Sequence, residues 1–249
     1  MDYMFYSPVM RDILDKVSKV AKSSVPVFLT GDSGVGKECV ADTIHSLSER
    51  KGNFVKVNCA AFSSELIESE LFGAIKGSYT SCIKDRAGLF MEANDGTLFL
   101  DEITETALPF QAKLLRSIQD RTIRPVGSDK TYKVNCRIIA SSNKDISEAL
   151  IEKTFRKDLF YRLNTISFHI PDLKSRKEDF LPLLEFFLSK FSKQENKKSL
   201  QFSEQALHYL RDKEWEGNIR ELEGVLYKIV LYSYDNQYIT HKDLMQYGI

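Results

Sequence analysis

The chain has 249 residues, 43% of them hydrophobic, and its 35 Lys and Arg balance 35 Asp and Glu. That balance leaves no overall basic field to attract nucleic acid, and no apolar run approaches the ~20 residues a membrane span needs. Cys39, Cys59, Cys82 and Cys136 lie far apart without a C-x-x-C pair, and His45, His169, His208 and His241 are scattered. Reduced thiols explain this pattern better than a zinc or disulfide framework, the start at Met1–Pro8 has no signal-peptide plan, and a soluble, cytoplasmic protein is expected.

In chain order, the first strand is expected over Val25–Thr30. A glycine-rich turn, Gly31-Asp32-Ser33-Gly34-Val35-Gly36-Lys37, follows it and leads into a helical pattern over Glu38–Ser48. Strands are then expected at Phe54–Asn58, Thr97–Asp101, Arg137–Ala140 and Thr165–Ile170, with helices at Ser64–Phe72 and Pro109–Gln119. The segment Ile123–Val134, carrying Pro125-Val126-Gly127-Ser128-Asp129, reads as a hairpin inserted before the fourth strand. Such alternation predicts an α/β fold, a parallel five-stranded sheet flanked by helices, with the ligand at the carboxyl ends of the strands. After Pro171 the pattern turns helical over Phe180–Phe191, Ser203–Lys213 and Asn218–Tyr232, with Ser192–Ser199 as a loop and no strand expected. Two domains result: an α/β nucleotide-binding domain over 1–170 and a small all-helical lid over 171–249.

The strand, glycine turn and helix start form a phosphate-binding loop of the pattern G-x-x-x-x-G-K. Its glycines let successive N–H groups converge on one anion, the helix N-terminus adds partial positive charge, and Lys37 can reach the outer phosphates. The hydroxyl residue that commonly follows the lysine is replaced by Glu38. A second motif, Gly96-Thr97-Leu98-Phe99-Leu100-Asp101-Glu102, is an apolar strand ending in two carboxylates, a Walker B segment. Asp101 there would hold Mg²⁺, and Glu102 would polarise the attacking water.

Together with Val57-Asn58-Cys59-Ala60-Ala61, Glu68-Ser69-Glu70-Leu71-Phe72-Gly73, Phe155-Arg156-Lys157-Asp158-Leu159, Tyr161-Arg162-Leu163-Asn164 and Trp215–Leu222, these motifs resemble the AAA+ domain of sigma-54-dependent transcription activators. The resemblance covers essentially the whole chain, and glutamate at position 38 is usual in that family. It implies ATP and Mg²⁺ as ligands, and an ATPase working as a ring-shaped, hexameric homo-oligomer. Its partner would be the sigma-54 RNA polymerase holoenzyme, remodelled for promoter opening. By the same resemblance Asn58 would gate Glu102, and Asn143 would act as a first sensor near the γ-phosphate. Arg156 and Arg162 would reach into the neighbouring subunit's site, where a guanidinium stabilises transition-state charge. Spacing alone reads them as surface arginines bonded to Asp158 or Glu152. Arg220 would act as a second sensor contacting the nucleotide; alone, it reads equally as a partner of Glu223 or Glu216.

The departure from the family lies after Phe72. Where the family carries a Gly-Ala-Phe-Thr-Gly-Ala loop that contacts sigma-54, this chain has Gly77-Ser78-Tyr79-Thr80-Ser81-Cys82. The aromatic tip and threonine are kept, but serine replaces the second glycine and allows fewer backbone shapes. Two readings stand: a working activator with a variant contact loop at Gly77, Ser78, Tyr79 and Thr80, or a nucleotide-dependent oligomeric regulatory module whose sigma-54 contact is altered or lost. No helix-turn-helix segment is read in this sequence, so direct DNA binding by this chain is not expected.

Overall fold

The computed structural model describes residues 5–78, 84–198 and 200–249. Five parallel strands, β1 (Val27–Thr30), β2 (Phe54–Asn58), β3 (Thr97–Asp101), β4 (Arg137–Ser142) and β5 (Ile166–His169), form one sheet in the order β2-β3-β4-β1-β5. Burial follows position in the sheet. Central β4 is buried at every residue and β3 at all but its last, whereas edge strand β2 alternates. Strands covered on both faces read as unbroken apolar runs, which is why Thr97–Asp101 was legible.

The helices include α1 (Pro8–Ala21), α2 (Lys37–Leu47), α3 (Ser64–Phe72), α4 (Leu108–Asp120), α5 (Lys157–Leu163), α6 (Phe180–Gln194), α7 (Glu204–Asp212) and α8 (Asn218–Tyr232). Local chemistry sets several of their ends. Ser63 caps α3 by accepting the Leu66 N–H at 3.4 Å, and Ser203 caps α7 through Ala206 N–H at 3.1 Å.

The chain divides into two compact units. One comprises residues 15–31 and 37–169 and holds the sheet; its core gathers Phe28, Leu98, Leu100, Ile138 and Ala140 with Phe72, Phe90 and Phe110. The other comprises the described part of 1–14, then 32–36 and 170–249; Phe180, Leu183, Phe187, Trp215, Leu222 and Leu226 lie in its core.

Within the α/β unit, Arg137 is fully buried at the start of β4. It donates to the carbonyls of Val20 (3.1 Å), Val25 (3.3 Å) and Ala21. Those carbonyls belong to the last turn of α1 and the chain leaving it, where a helix has acceptors to spare. Burial lowers the guanidinium pKa to about 10, so it stays charged at neutral pH.

The expected hairpin is present: Thr122–Ile123 pairs antiparallel with Tyr132–Lys133. Two expectations need correction, and one helix was not read. The helical unit does contain a strand pair, Gln201–Phe202 with Tyr238–Ile239, too short to show a period of two. Helix α6 continues to Gln194, so its last turn occupies the start of the expected loop at 192. Helix α1, amphipathic and starting at Pro8, was not anticipated. Among the described residues no helix is long and apolar enough to cross a membrane.

Candidate functional site

The carboxyl edge of the sheet collects the acidic and amide residues. Register pairs Asn58 with Asp101 and Thr30 with Ser142, so β2, β3, β1 and β4 end side by side. Asp101 accepts a hydrogen bond from the hydroxyl of Ser141, the fifth residue of β4. The same hydroxyl accepts the Glu102 N–H at 3.2 Å. One buried serine therefore fixes both the carboxylate that ends β3 and the backbone of the next residue. Glu102 itself is left-handed, with φ 55° and ψ 44°, and turns the chain out of the strand. A non-glycine residue held there costs about 1 kcal/mol or more, which the surrounding bonds must offset.

Asn143 Nδ2 reaches Glu102 Oε1 at 3.5 Å, the outer limit of a hydrogen bond. Its buried Oδ1 has no hydrogen-bond partner among the described residues. An unpartnered acceptor one residue beyond β4, beside a carboxylate, suits a site that orders a water or ligand group. Asn58 sits at the same edge but turns its Oδ1 to the Ala60 N–H at 2.8 Å, capping the turn Cys59–Ala61. The amide that touches Glu102 in this structure is thus Asn143. Next to them, burial and the charges of Asp101 and Glu102 push the Cys59 thiol well above its ordinary pKa, so it remains protonated.

Lys37, the first residue of α2, is buried, and its ammonium donates to the Gly31 carbonyl at 2.7 Å. It is thereby folded back over the turn instead of extending into solvent. Glu38 instead pairs with Lys56 at 2.9 Å and is largely exposed. Among the described residues no cluster of three or more His, Cys, Asp or Glu could cage a metal. Asp101 and Glu102, adjacent carboxylates at the end of β3, are hard oxygen donors of the kind Mg²⁺ takes, an ion that keeps waters and is held by one or two carboxylates.

The middle of the glycine loop belongs to the helical unit, whose contacts hold it. Asn218 opens α8 in a left-handed conformation, φ 53°, and is 2% exposed. Its Oδ1 accepts the Leu173 N–H at 2.9 Å, and its Nδ2 donates to the carbonyls of Ser33 (3.2 Å) and Glu216 (3.4 Å). The Ile219 N–H bonds Gly34 O at 3.0 Å, and Arg220 Nη1 donates to Ser33 Oγ at 2.9 Å. Gly34 has φ +77°, and a Cβ there would lie 2.3 Å from Gly217 O. Only glycine fits that turn. Fully buried Arg176 donates to the Val35 carbonyl and lies 3.9 Å from buried Asp179, which accepts the Ser7 N–H at 2.6 Å and its hydroxyl at 2.8 Å. The remaining loop residues, Asp32 and Gly36, lie in the same segment, Asp32 exposed and Gly36 at φ +101°.

Arg156, at the N-cap of α5, forks onto Asp158 at 3.0 and 2.7 Å, the pairing that spacing alone suggests. Arg162 is exposed in the last turn of α5, and its side chain makes no hydrogen bond or ion pair among the described residues. Of the contact loop, Gly77 is exposed with φ +80° and open space where a Cβ would stand. Ser78 packs against Gly127 of the hairpin, where a Cβ would meet it at 2.7 Å. Tyr79 and Thr80, like Ser81 and Cys82, lie outside the described residues. The bases of the two insertions are joined by Ile75 N–H to Val126 O (3.1 Å) and Val126 N–H to Gly73 O (2.8 Å).

Four residues went unnoticed in the sequence: Ser141 in the α/β unit, and Arg176, Asp179 and Asn218 in the helical unit. Each acts through partners distant in the chain, although Ser141 and Asn218 stand within recognised motifs.

Residues 3–169 match the model of the sigma-54 interaction domain, and residues 174–248 that of an AAA+ ATPase lid domain. The regulatory protein AtoC of Escherichia coli K12 is 47% identical over 226 residues, covering 90% of this chain and 49% of that protein. The transcriptional regulatory protein XylR of Pseudomonas putida is 44% identical over 240 residues, covering 96% of this chain and 42% of that protein. The chain thus spans about half the length of these curated relatives. Among solved structures, NtrX from Brucella abortus in complex with ADP superposes with a TM-score of 0.89 at 32% identity, covering 98% of this chain and 55% of that one. The NtrX complex with ATP gives 0.88 at 31%, covering 100% and 58%. On the family-model match over most of its length, the chain belongs to the sigma-54 interaction domain family, with an AAA+ ATPase lid as its C-terminal part.

Proposed function

We propose that this chain is the ATP-hydrolysing module of a cytoplasmic sigma-54-dependent transcription regulator, acting in a homo-oligomeric ring, a hexamer by family resemblance, to remodel the sigma-54 RNA polymerase holoenzyme for promoter opening. The nucleotide domain would occupy residues 1–170 and the lid 171–249. The observation that carries the reading is the cluster at the sheet's carboxyl edge. There Ser141 fixes Asp101 and the backbone of Glu102, and Asn143 lies against the Glu102 carboxylate.

Bound Mg²⁺ would neutralise phosphate charge in the transition state, with Asp101 holding it. The backbone of Gly31–Gly36 and the Lys37 ammonium cradle the phosphates, and Glu38 lies at the start of the same helix. Glu102 takes a proton from the attacking water, which Asn143 orients, while Asn58 at the neighbouring strand end gates the Glu102 carboxylate. Arg220 reports the nucleotide through the loop at Ser33. Arg156 and Arg162 supply positive charge to the next protomer's site, which ties hydrolysis to assembly. Gly77, Ser78, Tyr79 and Thr80 form the surface offered to sigma-54.

Purified chain is incubated with sigma-54 and a transition-state analogue of ATP, and the complex is resolved by size exclusion. Nucleotide-dependent capture supports the reading. ATP turnover without capture, by the natural loop and by a Ser81→Gly, Cys82→Ala loop alike, assigns the chain to the oligomeric module with an altered partner. That second reading is favoured by the serine and cysteine in the contact loop.

A further inference from the structure

Gln111 lies one turn into α4, fully buried. An amide in that position is costly unless its polar atoms are matched. Nε2 uses both hydrogens, on the carbonyls of Thr106 (2.8 Å) and Thr154 (3.0 Å), and Oε1 accepts the Arg156 N–H at 2.8 Å. These partners come from two different segments. Thr106 closes the short turn Ile103–Glu105 that leaves Glu102, its hydroxyl donating to Ile103 O at 2.6 Å. Arg156 is the N-cap of α5 and makes no side-chain cap of its own.

The Arg156 guanidinium is part-exposed and pairs with Asp158, two residues along the same segment. Among the described residues no other side chain bonds it, so its position is inherited from its backbone. Phe155 anchors the chain one residue earlier by burial, and Gln111 sets the N–H of Arg156 itself.

We infer that Gln111 is a positioning residue for Arg156: it ties the backbone of the arginine offered to the neighbouring protomer to the turn that follows this protomer's own Glu102. The inference rests on the reading that Arg156 acts in trans. A displacement of about 1 Å at a catalytic group costs up to about a hundredfold in rate. Loss of the amide should therefore impair the protomer as an arginine donor and spare it as a nucleotide site.

The test uses the 249-residue chain and its variants mixed in pairs, with phosphate release as the readout and nucleotide affinity measured beside it. Gln111→Leu alone should turn over about tenfold to a hundredfold more slowly, with ATP affinity within a few-fold of the parent. Mixed with Lys37→Ala subunits, whose arginines are intact, Gln111→Leu sites should recover hydrolysis. Mixed with Arg156→Ala subunits they should not, although Lys37→Ala subunits rescue Arg156→Ala. If Gln111→Leu rescues Arg156→Ala as well as Lys37→Ala does, the inference is overturned and the role of Arg156 stands. If Arg156→Ala alone turns over like the parent, both fall. Should Gln111→Leu fail to fold, Gln111→Asn carries the same mixtures. Its amide is about 1.5 Å shorter, so it loses the Arg156 N–H while keeping polarity, and donation equal to that of Lys37→Ala subunits overturns the inference.

Discussion

Changing Asn218 to aspartate alters one atom type in a buried site and isolates the contribution of an amide hydrogen-bond donor. The substitution keeps the shape, the acceptor for the Leu173 N–H at 2.9 Å, and a residue type that tolerates φ 53°. It removes the donor to Ser33 O and Glu216 O and places a carboxylate oxygen 3.2 and 3.4 Å from those carbonyls at a position 2% exposed. Each lost hydrogen bond is worth about 1 kcal/mol, and a buried acceptor facing acceptors adds about 1–3 kcal/mol. The N-terminus of α8 returns about 0.3–1 kcal/mol by favouring negative charge. The net expectation at pH 7 is a loss of about 2–5 kcal/mol, a large share of a typical 5–15 kcal/mol. Trp215, the single tryptophan, is buried in the same helical core and reports unfolding by its fluorescence. With a urea slope of about 1–3 kcal/mol per molar, the midpoint should fall by roughly 1 M or more. The sign of the pH dependence follows from the new carboxyl. Its folded pKa is raised above the unfolded value of about 3.9, so the penalty grows as pH rises through that window and fades toward pH 4. A loss below about 1 kcal/mol at pH 7, or a gap from the parent that does not narrow on acidification, would refute the assignment of Asn218 as the clamp on the loop carbonyl.

Lys37→Ala should abolish tight ATP binding, whereas Glu102→Gln should bind ATP and lose about 10²–10⁴ in turnover; near-normal phosphate release by Glu102→Gln would remove it as general base. Cys59, kept protonated by burial and by Asp101 and Glu102, should resist iodoacetamide at pH 8 in the folded protein and be alkylated in urea, as read by peptide mass mapping. Equal labelling rates in both states would contradict that environment. Tyr79→Ala should eliminate analogue-trapped binding to sigma-54 with basal turnover within a few-fold, and Ser81→Gly with Cys82→Ala should strengthen capture; a pull-down beside a phosphate assay separates the two effects.

The sequence alone determined whatever depends on short-range spacing. The glycine loop between β1 and α2, the two carboxylates closing β3 and the hairpin before β4 each sit within a dozen or so residues, so strand period and turn chemistry suffice to place them. The strand order, with β4 between β3 and β1, put Ser141 beside Asp101, a contact of residues forty apart that neither segment announces. Arg137 reads as the polar start of an apolar strand, and only packing shows it buried on the carbonyls leaving α1. Gln111 looks like a polar residue on an amphipathic helix until Thr106, Thr154 and Arg156 close around it. Asn218 gives no sign in sequence of its left-handed backbone or its grip on Ser33. Local sequence selects elements because helix and strand periods are properties of neighbouring residues. The partner of a buried polar group is selected by the tertiary structure, since an unmatched donor or acceptor there costs more than most local preferences contribute.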